Sequence, residues 1–355
     1  MTTPTLDLNA VLTGLADQGL AAFTFPAIEE ALSELAAEAE ATGTETEFGD
    51  LLIRLARMDR SDVATTLLIQ SGAWLTAAEA HRDALARDWS RNGGDPSGAG
   101  YGPARTAAIA AALQSRAGGG YGGGCGGLDE RVVEYPWLFH RVAELHPRGG
   151  RVLDAGSILN HPGVLGPWRA ARFGPLSIVT LEPEEHAFPS AEVRYEYADL
   201  RALPYRDGLF PTVLCLSTLE HVGMDNSIYG SSAESAQNPE LEAEMALREL
   251  DRVLAPGGTL LISVPFGVPA RHRWWRIFGR HDVDRTLNEF PHAVTSVRYF
   301  RAFRHGWEEV GAERADDAGY NDRHPGGRRD APEWVAAAEA VALFEITRAF
   351  SQGHR

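Results

Sequence analysis

Lysine is absent from the 355-residue sequence, because all 33 basic residues are arginine. A Schiff base needs a lysine amine, so the covalent chemistry of pyridoxal phosphate enzymes is excluded. A P-loop also needs a lysine to reach the nucleotide phosphates, so that class of nucleotide-binding site is excluded as well.

Cysteine and long apolar runs are also scarce. Cys125 and Cys215 are the two cysteines, and two thiols cannot build a disulfide framework or a cysteine-rich zinc site. Residues 1–4 lack the basic region and apolar core of a signal peptide. No apolar run approaches the roughly 20 residues of a membrane span. We therefore expect a cytoplasmic protein without a structural metal.

Basic residues are fewer than acidic ones, with 33 against 49, and the formal net charge is −16. Phosphate backbones are bound mainly by Lys and Arg, and anionic membranes attract basic segments. This balance argues against nucleic acid and membrane partners. A small molecule is the expected partner, and a homodimer is left open.

Residues 1–90 predict a small all-helical domain, because apolar side chains recur there at helical spacing. Examples are Ile28, Leu32, Leu35 and Leu51, Leu55, Met58. Residues 91–127 are rich in glycine, which is typical of a flexible linker or a mobile lid. A phosphate-binding loop is disfavoured there because no apolar strand precedes the glycines.

Residues 128–355 alternate between apolar strands and helices. Strands are predicted over 151–156, 177–183, 193–197, 212–217 and 259–265, with a closing strand over 341–347. A helix is predicted to begin after Asn238 and to end before the glycines at 257–258. Near-continuous apolar strands separated by helices predict a parallel sheet covered on both faces.

Three segments carry a family resemblance: Val152–Ser157, Leu203–Val222 and Glu249–Pro265. In this order and spacing they resemble the class I S-adenosylmethionine (SAM) dependent methyltransferases. The resemblance covers roughly residues 130–350 and implies a Rossmann-like α/β sheet flanked by helices, with SAM as the cofactor. It says nothing about the N-terminal helical domain.

The resemblance also implies a set of cofactor contacts at the carboxyl ends of the strands, where open α/β sheets bind ligands. The turn of Asp154, Gly156, Ser157 and Asn160 would lie beside the methionine part of SAM. Glu182 would accept hydrogen bonds from the ribose hydroxyls. Asp199 would meet the adenine amino group, with Leu200 beside the ring.

The segment Ser217–His221 would lie where SAM meets the acceptor, with Ser217 as a cofactor contact and Glu220 and His221 as catalytic candidates. Each assignment has a structural alternative. Asp154 could cap the next helix, Glu182 and Asp199 could be ordinary surface or loop acids, and His221 could merely hold its loop.

The sequence departs from the family pattern in the first turn, where the usual Gly-x-Gly becomes Gly156-Ser157. This turn, the following Asn160-His161 and the run Leu219–Asn226 are similar to methyltransferase-like proteins linked to sugar and polysaccharide pathways. The arginine- and tryptophan-rich segment Arg271–Arg276 could bind an anionic or aromatic acceptor, but a packed amphipathic surface helix is the favoured interpretation.

The function predicted from these observations is methyl transfer from SAM to a small-molecule acceptor, at oxygen, with a sugar or secondary metabolite as the acceptor class. His221 would be the base that removes the hydroxyl proton. A metal held by Glu220, His221 and Asp225 could replace the base, although their spacing is no recognised metal motif.

Two rival functions come from different classes. One is a non-catalytic scaffold or partner subunit that keeps the fold without the chemistry. The other is a nicotinamide-dependent dehydrogenase, which the missing third glycine of the first turn disfavours.

Overall fold

The computed structural model describes residues 121–145, 150–183, 193–227, 236–321, 332 and 334–349, with five isolated positions between 105 and 113. The chain divides into two compact units, Met1–Gln114 and Ser115–Arg355. The predicted helical domain over residues 1–90 lies outside the described residues. The elements given below all belong to the second unit.

The second unit alternates between strands and helices along its length. Its helices are α1 (Arg131–Leu145), α2 (Pro162–Ala171), α3 (Pro239–Val253) and α4 (Arg280–Asn288), with short 3-10 turns at Leu219–His221 and Ala312–Arg314. Its strands are β1 (Val152–Ala155), β2 (Leu176–Thr180), β3 (Val193–Tyr197), β4 (Phe210–Leu216), β5 (Leu254–Pro265), β6 (Ala270–Arg271), β7 (Arg276–Ile277), β8 (Ala293–Phe303), β9 (Gly306–Val310) and β10 (Ala340–Arg348).

Eight strands form one sheet in the order β3-β2-β1-β4-β5-β10-β8-β9. The first five pair in parallel, as the apolar strand pattern predicts. The other three strands, β10, β8 and β9, pair antiparallel, and β8 and β9 were not predicted from the sequence. The closing strand predicted over 341–347 is confirmed, and it lies inside the sheet between β5 and β8.

The helix before β5 shows how local sequence fixes an element. The Asn238 side chain accepts a hydrogen bond from the Leu241 amide at 3.3 Å, and Pro239 opens the helix. Both features stabilise a helix N-terminus. Leu247 and Leu250 are buried against the sheet, so the predicted cap and apolar stripe of α3 are both confirmed.

Part of the glycine-rich segment packs on the sheet. Tyr121 is buried, the Trp307 amide donates to the Gly122 carbonyl at 3.0 Å, and the Trp307 indole donates to the Leu128 carbonyl at 3.0 Å. The linker or lid predicted over 91–127 therefore includes a stretch that is fixed against the β8–β9 hairpin. The domain boundary at residue 128 stays a prediction.

We expect an isolated chain that begins at Ser115 to unfold at nearly the same temperature as residues 115–355 do in the full-length protein. A chain that begins at Asp129 should unfold several degrees lower, since it loses buried Tyr121 and the Gly122 hydrogen bond. Losing a large buried side chain typically costs about 3–5 kcal/mol. Calorimetry of the two truncated chains measures the difference, and equal unfolding temperatures would contradict it.

No helix among the described residues is long and apolar enough to cross a membrane.

Candidate active site

A cavity of about 520 Å³ opens at the carboxyl ends of the parallel strands. Ligand sites of open α/β sheets occur at this edge, and pockets for small molecules span roughly 300–1,000 Å³. The residues that line it come from the segments after β1 to β4 and from the start of α1: Arg131, Gly156, Ser157, Ile158, Asn160, His161, Val179, Thr180, Leu181, Glu182, Pro183, Ala198, Asp199, Leu200, Arg201, Ser217, Thr218, His221, Val222, Gly223 and Asn226. The structure thus brings together all of the predicted site residues except Asp154 and Glu220.

Asp154 lies beneath the cavity at the end of β1. Its carboxylate is fully buried and accepts hydrogen bonds from the backbone amides of Ile158, at 3.3 Å, and Leu159, at 2.8 Å. The Tyr135 hydroxyl donates to the Ile158 carbonyl at 2.9 Å. Asp154 therefore shapes the turn that lines the cavity. This role is closer to the structural one, capping backbone amides, than to a direct contact with the cofactor.

The turn after β1 requires a glycine. Gly156 has φ +123°, and a Cβ there would lie 2.0 Å from the Thr218 side-chain oxygen. Ser157 and Ser217 also have positive φ, at 64° and 40°, and both line the cavity. Such backbone conformations cost of order 1–3 kcal/mol each and cluster at functional sites. The backbone of Gly156 and Ser157 after β1, and of Ser217 after β4, thus lies close to the cavity.

Two acidic side chains follow β2 and β3. Glu182 lines the cavity and is partly exposed. Asp199 also lines it, but its two carboxylate oxygens accept hydrogen bonds from the Arg201 side chain at 2.5–3.0 Å. Burial raises the pKa of Asp199, but the Arg201 guanidinium and amide outweigh it and lower that pKa overall. Asp199 is thus an ionised acid that Arg201, itself paired with Glu242, holds in place.

His221 lies in the 3-10 turn after β4 and lines the cavity. Its Nδ1 is 2.6 Å from the Trp274 carbonyl oxygen, and since a carbonyl only accepts, Nδ1 carries the proton and Nε2 has the lone pair. Burial lowers the pKa of His221 to about 4, although the hydrogen bond to Trp274 acts in the other direction. A neutral imidazole with a fixed tautomer is the form that can act as a general base at neutral pH.

Glu220 does not reach the cavity. Its side chain is buried, and Oε2 has no hydrogen-bond partner among the residues that the structure describes. Burial raises the pKa of Glu220 well above its ordinary value, which favours the neutral carboxyl. Oε1 lies 4.0 Å from His221 Nε2. Glu220 therefore sits behind His221 rather than beside a bound ligand.

The prediction of a surface helix over Arg271–Arg276 is wrong. The segment is a hairpin of β6 and β7, in which the His272 amide donates to the Trp275 carbonyl at 2.9 Å. The His272 ring stacks on the Trp275 ring at 3.6 Å, and Trp275 lies 3.9 Å from Tyr320. This ring stack buries Trp275 and fixes the backbone of Trp274 under His221.

The residues at the start of α1 were missed at the sequence level. Arg131 lines the cavity and pairs with Glu134, which is fully buried. Burial acts to lower the pKa of Arg131, but the neighbouring carboxylates, Glu134 first, raise it well above its ordinary value. An ionisable residue between Val133 and Tyr135, inside an apolar helical run, is the pattern that could have pointed to Glu134.

Among the residues that the structure describes, no group of three His, Cys, Asp or Glu side chains could hold a metal ion. Asp225, one of the metal ligands considered, binds Arg273 at 2.8 Å instead.

Residues 170–262 match the family model described as a methyltransferase domain. The matched range runs from the end of α2 into β5 and includes Glu182, Asp199 and His221. This part of the chain is thus similar to a methyltransferase domain. The turn at Gly156-Ser157 lies before the matched range, so the similarity to the sugar-linked subgroup stays a prediction.

Several solved structures are similar to this chain at low identity. The Burkholderia thailandensis 1,6-didemethyltoxoflavin-N1-methyltransferase, bound to 1,6-didemethyltoxoflavin and S-adenosylhomocysteine, is 17% identical, with 59% of this chain and 76% of that chain covered and a TM-score of 0.37. The [4+2]-cyclase SpnF is 17% identical (69% and 93% covered, TM-score 0.39). A SAM-dependent methyltransferase from Mesorhizobium loti is 14% identical (60% and 98% covered, TM-score 0.35).

At these scores the structural similarity carries no argument about substrate. No curated protein matches the chain significantly.

Proposed function

We propose that this protein is a SAM-dependent methyltransferase that acts on a small-molecule acceptor at a hydroxyl oxygen, with His221 as the general base. The observation that carries the proposal is the cavity, which places a neutral histidine of fixed tautomer in the same space as the acids after β2 and β3. A sugar or a secondary metabolite is the acceptor class that the proposal favours.

The residues present fit SAM. Glu182, Asp199 and Leu200 line the cavity. Glu182 would accept hydrogen bonds from the ribose hydroxyls, Asp199 would accept one from the adenine amino group, and Leu200 would contact the ring. Gly156, Ser157, Asn160 and Ser217 would surround the remaining part of the cofactor. When bound, SAM supplies an electrophilic methyl group.

The chain's own contribution is alignment, exclusion of water and proton removal. Alignment of two reactants in a closed site is a large source of rate enhancement. The Trp274 carbonyl orients the imidazole, and Nε2 is the atom that would take the hydroxyl proton. Positioned bases of this kind typically contribute about 10²–10⁴-fold.

Ligand binding tests the proposal directly. S-adenosylhomocysteine should raise the unfolding temperature of the full chain, whereas NAD and NADP should not. A ligand at about 100 times its dissociation constant adds about 2.7 kcal/mol of stability, which is easily measured. A folded protein that shows no shift with millimolar S-adenosylhomocysteine would favour the scaffold function.

Glu182→Ala is expected to weaken S-adenosylhomocysteine binding by roughly 1.5–3 kcal/mol, or a factor of about 10 to 100, because it removes charge-assisted hydrogen bonds to the ribose. The unfolding temperature should stay unchanged, since the side chain is partly exposed. Calorimetric titration measures the affinity. Glu308→Ala, which removes an exposed acid on β9, is the matched control. Equal affinities for the two variants would remove Glu182 from the site.

A further inference from the structure

A buried carboxylate on α1 joins the ends of two strands. Glu134 is fully buried, and its Oε1 accepts hydrogen bonds from the Ser217 hydroxyl at 2.7 Å and the Ser263 hydroxyl at 2.6 Å. Its Oε2 pairs with the Arg131 guanidinium. A buried carboxylate is costly unless it is paired and hydrogen-bonded, and these three donors meet that requirement at one point behind the cavity wall.

One of the donors is held in an unfavourable backbone conformation. Ser217 leaves β4 with φ 40°, and its amide donates to both the carbonyl and the hydroxyl oxygen of Ser263, each at 3.0 Å. A strained residue of this kind persists only where its surroundings fix it. Together with Ser263, Glu134 fixes Ser217 from the side opposite the cavity.

Glu134 itself is not among the residues that line the cavity, but two of its partners, Arg131 and Ser217, are. Ser217 follows β4, whereas Glu182 and Asp199 follow β2 and β3, on the other side of β1 in the sheet. Ser217, a partner of Glu134, thus borders the end of the cavity opposite Glu182 and Asp199, the acids assigned to the nucleoside part of the ligand.

We propose that Glu134 is a positioning residue that shapes the β4 end of the cavity, through Ser217 and Arg131, for the amino-acid part of the SAM-type ligand. This inference rests on the proposed function, because it assumes that the nucleoside part binds at Glu182 and Asp199. Glu134 touches no ligand atom and acts through the two side chains that it holds.

The test compares two ligands that differ only at this end. S-adenosylhomocysteine carries the amino-acid part, and 5′-methylthioadenosine lacks it. Glu134→Gln keeps the size of the side chain but places an amide NH₂ group where the carboxylate faces Arg131 and the two serines. The variant full chain should bind S-adenosylhomocysteine about tenfold or more weakly. Its affinity for 5′-methylthioadenosine should stay within about twofold of the unmodified protein.

Glu144→Gln is the matched control, because it makes the same change on an exposed position of α1. It should leave both affinities unchanged. Equal weakening of both ligands by Glu134→Gln would mean a merely structural role and would overturn the inference, as would unchanged binding of S-adenosylhomocysteine.

Should Glu134→Gln fail to fold, Ser217→Ala provides the same comparison, since it removes one of the two links between Glu134 and the cavity wall and keeps the carboxylate with Arg131 and Ser263. The same selective loss is expected, and its absence overturns the inference. An unmodified protein that binds neither ligand would instead refute the proposed function. The two failures are therefore distinguishable.

Discussion

Gly156→Ala is expected to lower the free energy of unfolding by about 2–6 kcal/mol. The new Cβ would lie 2.0 Å from Thr218 Oγ1 and 2.3 Å from Thr218 Cγ2, and the residue would have to keep φ +123°. Overpacking costs typically 1–3 kcal/mol and a strained backbone about 1–3 kcal/mol more. Urea unfolding measures the change, and binding of S-adenosylhomocysteine should be lost with it because the turn lines the cavity.

Gly124→Ala separates the two contributions. Gly124 also has positive φ, at +75°, but no atom of the described part of the chain lies within 4 Å of its Cβ position. This control should show the backbone cost alone. Adding Thr218→Ala to Gly156→Ala should restore part of the lost stability, since it removes the two nearest atoms. Equal destabilisation by Gly124→Ala and Gly156→Ala would show that the contact with Thr218 has no effect.

The second large effect is a loss of stability at acid pH caused by His221. Its pKa is about 4 in the folded protein and about 6.5 in an unfolded chain. The unfolded state therefore binds the proton first. The stabilisation is complete above about pH 6.5 and is lost as the pH falls toward 4, reaching a loss of about 2 kcal/mol at pH 5.

Urea unfolding at pH 7.5 and at pH 5 measures this loss. His221→Gln should reduce the difference between the two pH values by about 2 kcal/mol relative to the unmodified protein. His305→Gln should leave it unchanged, because His305 is exposed on the turn before β9. The pH dependence that other groups contribute is the same in the compared proteins and cancels. One such group is buried Glu130: burial raises its pKa to about 7, so its effect on stability has the opposite sign. An unchanged difference in His221→Gln would show that the imidazole is not held neutral.

Residues at strand ends could be predicted from the sequence because their neighbourhood is set locally. Glu182 and Asp199 follow apolar runs that form parallel strands, and the carboxyl ends of such strands meet at one edge. The position of His221 follows from the same argument. The cavity accordingly contains most of the residues that the motifs indicate.

Interactions between distant parts of the chain could not be predicted in this way. The link from Glu134 to Ser217 and Ser263 joins a helix to two strands far along the sequence. The hairpin at Arg271–Arg276 depends on Tyr320, which packs on Trp275. The hydrogen bonds of Asp154 could not be predicted either, because only the folded turn shows which amides its carboxylate reaches.

The place of β10 in the sheet has a consequence for synthesis on the ribosome. β8 pairs only with β9 and β10 in the sheet, and β10 is its sole link to β5. Until residues 340–348 leave the exit tunnel, β5 and β8 both present unpaired backbone edges, which are templates for aggregation. Arg141 on α1 then pairs with Glu345 on β10 at 2.6–2.8 Å. The strand β10, which is synthesised after the other strands of the sheet, thus also contacts helix α1, which is synthesised before them. The parallel half can form during translation, whereas the antiparallel half must wait for β10.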